Sequence, residues 1–210
     1  MPDYASNGLT MTRANFGAAW FEACWAYEES KHGLVFREYL TRSGLRTDAE
    51  MSALQDQIVS GRWTLPFHTI RRMACYGAMQ EAATCLAYRM QRDRAKSSGN
   101  TVLEAIFSFV SRDEAAHADF YRTVLEIELN EDRVGTLADF AHVLSQFKMP
   151  GDGLIPNYRE RLETSGAGIS PRSFAERVVV PLMKTLETSR KQLKQVLSEV
   201  RLRPREISNL

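Results

Sequence analysis

Cysteine is scarce in this sequence, and its placement gives no pairing pattern. The three cysteines, Cys24, Cys75 and Cys85, are odd in number and share no Cys-x-x-Cys spacing. These features argue against a disulfide framework and against a zinc site built from thiolates. A reducing, cytoplasmic compartment fits this cysteine usage best.

Long apolar runs and an excess of charge of one sign are also missing. No segment approaches the roughly 20 apolar residues that span a bilayer, and residues 1–15 contain no apolar core of a signal peptide. Lys and Arg total 27 against 26 Asp and Glu, so the net charge of +1 provides no field that would attract nucleic acid or an anionic membrane. We expect a soluble protein that is not exported.

Strand-like alternation is absent too, whereas helical periodicity runs along nearly the whole chain. The 210 residues are enough for one well-buried core, so we predict a single all-α domain over residues 1–210. Its motif-bearing core spans about 13–150, and a C-terminal helical segment spans about 170–203. The predicted helices are about 13–39, 48–60, 64–96 (with Pro66 in its first turn), 101–129 and 133–147. Residues 149–153 break the pattern, and a long helix over about 170–202 follows, with a kink at Pro181.

Two of the predicted helices carry the same short pattern, Glu-x-x-His. The first helix has it at Glu29 and His32, and the fourth has it at Glu114 and His117. At this spacing a glutamate and a histidine project from one helix face, about 5–6 Å apart at Cβ, so both reach one metal ion. A carboxylate oxygen with an imidazole nitrogen suits iron, manganese or zinc. Either copy alone is more often a solvated pair, but the two together predict a metal centre.

Two such helices are typical of a di-iron or di-manganese bundle, in which each remaining helix adds one glutamate. Glu81 is the candidate from the third helix, because small and apolar residues flank it and an unpaired carboxylate is costly there. Thr84 lies one turn later on the same face. Glu28 and Asp113 are each rotated by about 100° from their glutamate neighbours, which places them outside the ligand set.

These motifs, in the same order, resemble those of the acyl-[acyl-carrier-protein] desaturases. The resemblance covers about residues 16–150 and continues more weakly into the last helix. The string WAYEESKHG at Trp25–Gly33 looks like the EExxHG segment of that family, and QEAAT at Gln80–Thr84 is similar to its QERAT segment. Asp113–His117, followed by Tyr121, is similar to its DExxH helix. The Met-Pro in Phe147–Pro150 also has a counterpart in the family.

The resemblance implies a ferritin-like helical bundle with a carboxylate-bridged site for two iron ions. It implies these roles: Glu29 and Glu114 bridge the irons, His32 and His117 each bind one iron, Glu81 is a terminal ligand, and Thr84 assists oxygen activation. It further implies an O2-dependent oxidoreductase that introduces a double bond into an acyl chain on acyl carrier protein. A ferredoxin-type electron donor and a homodimer are expected with it.

The chain departs from the family at the first ligand glutamate. In the family this residue comes from a helix before the EExxHG helix, and here that helix would precede Met1. Glu22 shares a stripe with Glu29, but seven residues put about 10 Å between them, so we expect a lone surface glutamate. Glu176 and Glu187, in the last helix, carry no local sign of burial. Three explanations for the missing glutamate are open: the chain is truncated, another subunit supplies the helix, or the protein has lost full di-iron chemistry.

Basic residues that would meet an acidic carrier protein form two candidate groups, Arg89, Arg92, Arg94 and Lys96, and Arg71 with Arg72. Solvated helix faces and partners of a helix C-terminus are an equally good interpretation of them. Two other functions stay open. One is another di-iron oxygenase, such as a hydroxylase or an N-oxygenase, and the other is a catalytically impaired homologue that acts as a metal-binding or partner subunit.

Overall fold

The computed structural model describes residues 2–202, and every regular element within this range is a helix. The helices are α1 (Pro2–Thr12), α2 (Phe16–Arg42), α3 (Asp48–Ser60), α4 (Ile70–Ser97), α5 (Thr101–Glu131), α6 (Arg133–Gln146), α7 (Gly151–Leu154), α8 (Tyr158–Ser165), α9 (Pro171–Phe174), α10 (Val180–Thr185) and α11 (Arg190–Leu202), with a π-helical turn at Ala175–Val179. The all-α prediction is confirmed. Across the described range, none of these helices has both the length and the apolar character that crossing a bilayer requires.

α4 and α5 form the centre of a ferritin-like bundle. α2 and α6 pack on this pair, and α1 packs on α2. Most of the side chains with almost no exposure come from α4, α5 and α6, among them Met79, Val110, Leu125, Phe140 and Val143. The pairing of α4 with α5 therefore directs the inner faces of both helices into the protein interior.

Local signals fix the ends of the bundle helices. Asn15 Oδ1 accepts from the Ala18 N–H at 3.0 Å and starts α2, while Asn100 Oδ1 accepts from the Leu103 N–H at 3.0 Å and starts α5. Gly99 follows the end of α4 with φ of 72°, a left-handed conformation that glycine adopts without steric cost. These caps explain why the predicted start of α5 agrees with the structure.

α3 begins with a reciprocal cap. Thr47 Oγ1 accepts from the Glu50 N–H at 3.2 Å, and Glu50 Oε2 accepts from the Thr47 N–H at 2.7 Å. We expect Thr47→Ala to destabilise α3 by about 1 kcal/mol, because the first-turn N–H groups lose an acceptor. Amide hydrogen exchange in α3 measures this local loss. Ser52→Ala, an exposed change within α3, is the control, and equal responses in the two variants would contradict the capping role.

A helix that the sequence interpretation omitted precedes α2. The first helix was predicted to begin near residue 13, but α1 covers Pro2–Thr12. Tyr4 of α1 is buried and stacks on the Trp63 ring with centroids 4.3 Å apart. The Trp63 N–H donates to Asp3 Oδ2 at 3.0 Å. Tertiary contacts with the segment before α4 thus stabilise this N-terminal helix.

The predicted start of α4 at residue 64 is wrong. Thr69 caps the helix by accepting from the Arg72 N–H at 3.3 Å, so α4 begins at Ile70. Phe67 is buried in the core before the helix starts. Pro66 therefore lies in the non-helical segment and not in a first turn.

The predicted long C-terminal helix is wrong as a single element. Before Pro181 the helix widens into the π-helical turn, since proline supplies no N–H and its ring crowds the preceding turn. The helix then ends at Thr185, and Glu187 adopts φ of 45°. Ser189 starts α11 by accepting from the Gln192 N–H at 3.3 Å. The predicted end of the segment at residue 203 lies outside the described residues, and the short helix α7 occupies part of the predicted break at 149–153.

Ion pairs join α4 to α6. Arg71 Nε lies 2.7 Å from Asp139 Oδ2, and Arg72 Nε lies 2.7 Å from Asp139 Oδ1. The Asp139 side chain is buried, so both guanidinium groups compensate a carboxylate inside the protein. Arg71 and Arg72 therefore have a structural role that differs from both predicted interpretations, carrier-protein docking and solvated helix faces.

Candidate metal centre

The predicted ligands come from three helices and meet inside the bundle. α2 brings Glu29 and His32, α4 brings Glu81, and α5 brings Glu114 and His117. Glu81, Glu114 and the two histidines are buried, and Glu29 is partly exposed. The i, i+3 spacing within α2 and within α5 places each glutamate and histidine on the same inner face, as the sequence predicted.

His117 faces three carboxylates. Its Nδ1 lies 3.5 Å from Glu114 Oε2, 3.7 Å from Glu81 Oε2 and 3.7 Å from Glu29 Oε1. One ligand atom from each of these four residues lies within 4.8 Å of all the others. This spacing suits four donors around one cation.

His32 faces two of the same carboxylates from the other side. Its Nδ1 lies 3.4 Å from Glu114 Oε1 and 3.8 Å from Glu29 Oε1. The two imidazole centroids are 6.4 Å apart. Glu114 therefore points one oxygen at each histidine, and Glu29 is near both, which is the placement that a carboxylate bridging two cations needs.

The lack of hydrogen-bond partners for polar atoms of the cluster indicates that these residues fit a metal ion. Five buried atoms of the cluster have no hydrogen-bond partner among the described residues: His32 Nδ1, His117 Nδ1, Glu81 Oε2 and both oxygens of Glu114. A buried polar atom without a partner costs about 1–3 kcal/mol, so five together need a compensating ligand. Nitrogen and carboxylate donors without sulfur suit iron, manganese or zinc.

The far nitrogens of both histidines are held by carboxylates across the helix interface. His117 Nε2 of α5 lies 2.8 Å from Glu28 Oε2 of α2, and His32 Nε2 of α2 lies 3.1 Å from Asp113 Oδ2 of α5. Lys31 Nζ lies 3.0 Å from the same Asp113 oxygen. Each carboxylate orients one ring, so that Nδ1 is the nitrogen turned to the cluster. Glu28 and Asp113 thus contact the histidines on the Nε2 side, away from the Nδ1 atoms that face the cluster.

We expect Glu28→Gln and Asp113→Asn each to weaken metal binding by roughly 10–100-fold, because an amide orients a metal-binding imidazole less well than a carboxylate does. Competition with a chelator of known affinity measures the change. Asp119→Asn, an exposed change on α5, is the control. If all three variants bound metal equally well, the two carboxylates would have no orienting role.

Three residues that the sequence interpretation did not assign to the site hold Glu81 in place. Trp25 Nε1 and Gln80 Nε2 donate to Glu81 Oε1 at 3.1 and 3.2 Å, and the Tyr4 hydroxyl donates to Gln80 Oε1 at 3.1 Å. Oε2 of Glu81 is left to face His117. Trp25 and Gln80 lie inside the two motifs that resemble the desaturases, and this position in the sequence could have indicated their role. Nothing in the local sequence indicates a role for Tyr4.

The charges in the cluster shift one another's pKa values. Burial, together with the charge of Glu114, raises the pKa of Glu29 to about 7. Burial also raises the pKa of Glu114, but the neighbouring imidazoles of His117 and His32 outweigh it and lower that pKa to about 2. Burial lowers the pKa of His117, yet Glu114 and Glu81 outweigh it and raise that pKa to about 11. A binding cation therefore has to displace protons.

We expect the affinity for divalent metal to increase as the pH rises from about 6 to 8, because protons compete for the ligands. Glu29, with its pKa of about 7, loses its proton across this range, and the high pKa of His117 adds a proton that metal must release. Titration with Mn(II) in buffers of constant ionic strength measures the trend. An affinity that stayed constant over this range would show that these groups do not bind the metal.

The comparison with known proteins agrees with this geometry. The sequence profile described as fatty acid desaturase matches residues 3–164, which include all five predicted ligands. The chain belongs to the acyl-[acyl-carrier-protein] desaturase family.

Three relatives in the family illustrate the extent of the similarity. A Mycobacterium tuberculosis protein that carries the name of an acyl-[acyl-carrier-protein] desaturase, DesA1, is 25% identical over 170 residues, covering 76% of this chain and 49% of that protein. Stearoyl-[acyl-carrier-protein] 9-desaturase 6 of Arabidopsis thaliana is 32% identical, covering 60% of this chain and 32% of its own length. The seed-specific stearoyl-[acyl-carrier-protein] 9-desaturase of Brassica napus is 30% identical, covering 74% and 39%. The chain thus spans about half the length of these desaturases or less.

Glu22 is not the surface residue that the sequence interpretation expected in this desaturase-family chain. It is buried, and its Oε1 accepts from the Tyr121 hydroxyl at 3.2 Å. An added Cβ at Gly8 of α1 would lie only 2.5 Å from its Oε2. Glu22 is therefore enclosed between α1, α2 and α5. The sequence feature that could have indicated this burial is Gly8, because the absence of a side chain there leaves room for the Glu22 carboxylate. The helical periodicity of α2 alone places Glu22 at the surface.

The remaining predicted candidates lie in different surroundings. The Thr84 hydroxyl donates to the Gln80 carbonyl at 3.0 Å, and its role in oxygen activation stays a prediction. Glu176 is exposed and pairs with Arg172, and Glu187 is exposed on the surface. Neither of these glutamates belongs to the group of side chains that could hold a metal ion. α1 contains one acidic residue, Asp3, which accepts from the Trp63 N–H, so α1 brings no glutamate to the centre.

Proposed function

We propose that this chain is an O2-dependent di-iron oxidoreductase that introduces a double bond into an acyl chain carried by acyl carrier protein. The observation that carries the proposal is the set of partnerless ligand atoms that three helices turn toward one another. Family membership supports the substrate class, since the relatives above are named acyl-carrier-protein desaturases.

Iron bound by Glu29, His32, Glu81, Glu114 and His117 would supply reduction of O2 and abstraction of hydrogen from the acyl chain. The chain's own residues would hold the centre. Glu28 and Asp113 orient the two imidazoles, Trp25 and Gln80 fix Glu81, and the burial of Glu81 and Glu114 limits access of bulk water. Formation of the double bond removes two hydrogen atoms, that is two protons and two electrons, from adjacent carbons. Reduction of O2 to two waters takes four electrons, so a ferredoxin-type donor supplies two, and solvent supplies two protons.

A cavity on the α10 side of α4 and α5 offers a surface for an acyl carrier, and its lining residues do not include the five predicted ligands. It encloses about 270 Å³ between α4, α5 and the segment around α10, and its lining includes Ala78, Ala82, Leu86, Arg89, Arg122 and Arg177. An apolar wall with arginines suits an acyl chain joined to an anionic carrier. In the predicted basic group, Arg92 pairs with Asp93 and Arg94 donates to the Gly166 carbonyl, whereas Arg89 lines this cavity. We therefore propose that Arg89 contacts the acyl carrier protein.

Product analysis tests the proposed function. Iron-loaded protein is incubated with acyl carrier proteins of several chain lengths, a ferredoxin reducing system and O2, and the released fatty acids are analysed by mass spectrometry. An unsaturated acid that His117→Ala does not form is the expected result. Arg89→Glu should lower kcat/KM with normal iron content, while Arg161→Glu on α8 should not. A hydroxylated product, or no product from fully loaded protein, would contradict desaturation.

We also propose that the outer face of α2 forms the predicted homodimer. Phe16, Trp20, Tyr27 and Leu34 are large, apolar and exposed along this helix. Light scattering should give the mass of a dimer for the wild type and of a monomer for a Trp20→Glu, Tyr27→Glu double variant. Val59→Glu, an exposed apolar site on α3, is the control. A monomeric wild type would contradict the dimer.

A further inference from the structure

We propose that the two metal positions of this chain are unequal: a tight position at His117, and an open, weaker position at His32. This inference rests on the proposed function, because it assumes that the cluster binds metal. It concerns how the ligands are divided between the two positions, which the proposed function alone does not determine.

The ligands around the two histidines differ by one carboxylate. His117 Nδ1 has oxygens of Glu29, Glu81 and Glu114 within 3.7 Å. Among the residues that the structure describes, His32 Nδ1 has carboxylate oxygens of Glu29 and Glu114 alone within 4.0 Å. A cation beside His117 can therefore take four protein ligands, whereas a cation beside His32 takes three.

Glu81 is not free to serve both positions. Its Oε1 is occupied by the indole N–H of Trp25 and the amide of Gln80, and the Tyr4 hydroxyl fixes Gln80 in turn. Only Oε2 remains for a metal, and it lies 3.7 Å from His117 Nδ1. Moving Glu81 toward His32 would break two buried hydrogen bonds. Glu81 therefore belongs to the His117 position.

The helices that pack nearby do not supply the absent carboxylate within residues 2–202. Asp3, the acidic residue of α1, is held by the Trp63 N–H at 3.0 Å. Glu22 Oε1 accepts from the Tyr121 hydroxyl, and its Oε2, which has no hydrogen-bond partner among residues 2–202, lies against Gly8 of α1 and outside the four-residue group that could hold a metal. In the described part of the chain the position at His32 thus resembles a catalytic metal site, in which a water or an exogenous ligand completes the coordination.

Stepwise titration of the whole chain with Co(II), under anaerobic conditions, tests the inference through visible absorption and calorimetry. We expect two binding events whose dissociation constants differ by at least roughly tenfold, since even loss of an orienting residue changes metal affinity that much. Glu81→Gln, which preserves shape, should abolish the tight event. His32→Ala should abolish the weak event and leave the tight one. Glu160→Gln, an exposed change on α8, is the control, and circular dichroism checks that each variant is folded.

The possible outcomes separate this inference from the proposed function. Two events of equal affinity would overturn the unequal positions while leaving a metal centre in place, and would indicate a ligand from outside the described residues. Loss of the tight event in folded His32→Ala would also overturn the assignment. No Co(II) binding by the wild type would overturn the proposed function itself.

Discussion

Glu114→Ala is expected to leave the purified chain without stably bound metal. Glu114 is 1% exposed and points one oxygen at each histidine, so its removal takes a ligand from both positions at once. We expect a loss of affinity greater than about 100-fold, beyond the effect of losing an orienting residue. Elemental analysis after desalting measures the retained iron. A similar loss of iron from His117→Ala would support a site that Glu114 and His117 share.

The same substitution should abolish stabilisation by metal. A ligand that binds only the folded state stabilises it by about 2.7 kcal/mol when present at 100 times its dissociation constant. Thermal unfolding with and without Fe(II), under anaerobic conditions, should therefore show a rise in Tm for the wild type and none for Glu114→Ala. Glu126→Ala, an exposed change on α5, should behave as the wild type. An equal rise in all three proteins would place the metal elsewhere.

Gly77→Ala is expected to destabilise the fold by about 1–3 kcal/mol, although alanine is the better helix former. An added Cβ would lie 2.7 Å from Cε2 of Tyr121. This ring cannot easily move, because its hydroxyl donates to Glu22 and Phe21 packs against it edge-on at 5.3 Å. Overpacking at the contact of α4 with α5 outweighs the gain in helix propensity.

Gly33→Ala provides a matched control with the opposite sign. Gly33 lies inside α2 with nothing within 4 Å of an added Cβ. Replacement by alanine there should stabilise the protein by up to about 1 kcal/mol. Urea denaturation of both variants measures the two free energies of unfolding. If the two substitutions shifted stability in the same direction, the close approach at Gly77 would not control the packing of α4 on α5.

The elements that the sequence predicted best are those with strong local signals. The start of α3 follows from the Thr47 cap and that of α5 from the Asn100 cap. The inner faces of α2 and α5 follow from the Glu-x-x-His spacing. α1 and the C-terminal break depend on contacts distant in sequence, such as the stacking of Tyr4 on Trp63 and the burial of Leu186. Local periodicity carries no information about such contacts.

The site shows the same division. Residue type and spacing indicated the five candidate ligands that meet in the structure, but the pairing of Glu28 with His117 and of Asp113 with His32 crosses from one helix to another. Glu22 was predicted at the surface because its helical stripe alone cannot show that Gly8 of α1 makes room for it. How α1, α2 and α5 pack decides which carboxylates are enclosed.

The most direct test of the central claim is the iron content per chain after anaerobic loading with Fe(II), exposure to air and desalting. We predict at least about one tightly held iron per wild-type chain, rising toward two with excess Fe(II), and almost none in a Glu114→Ala, His117→Ala double variant. Equal iron in the wild type and the double variant would show that the carboxylate and histidine cluster does not bind the metal.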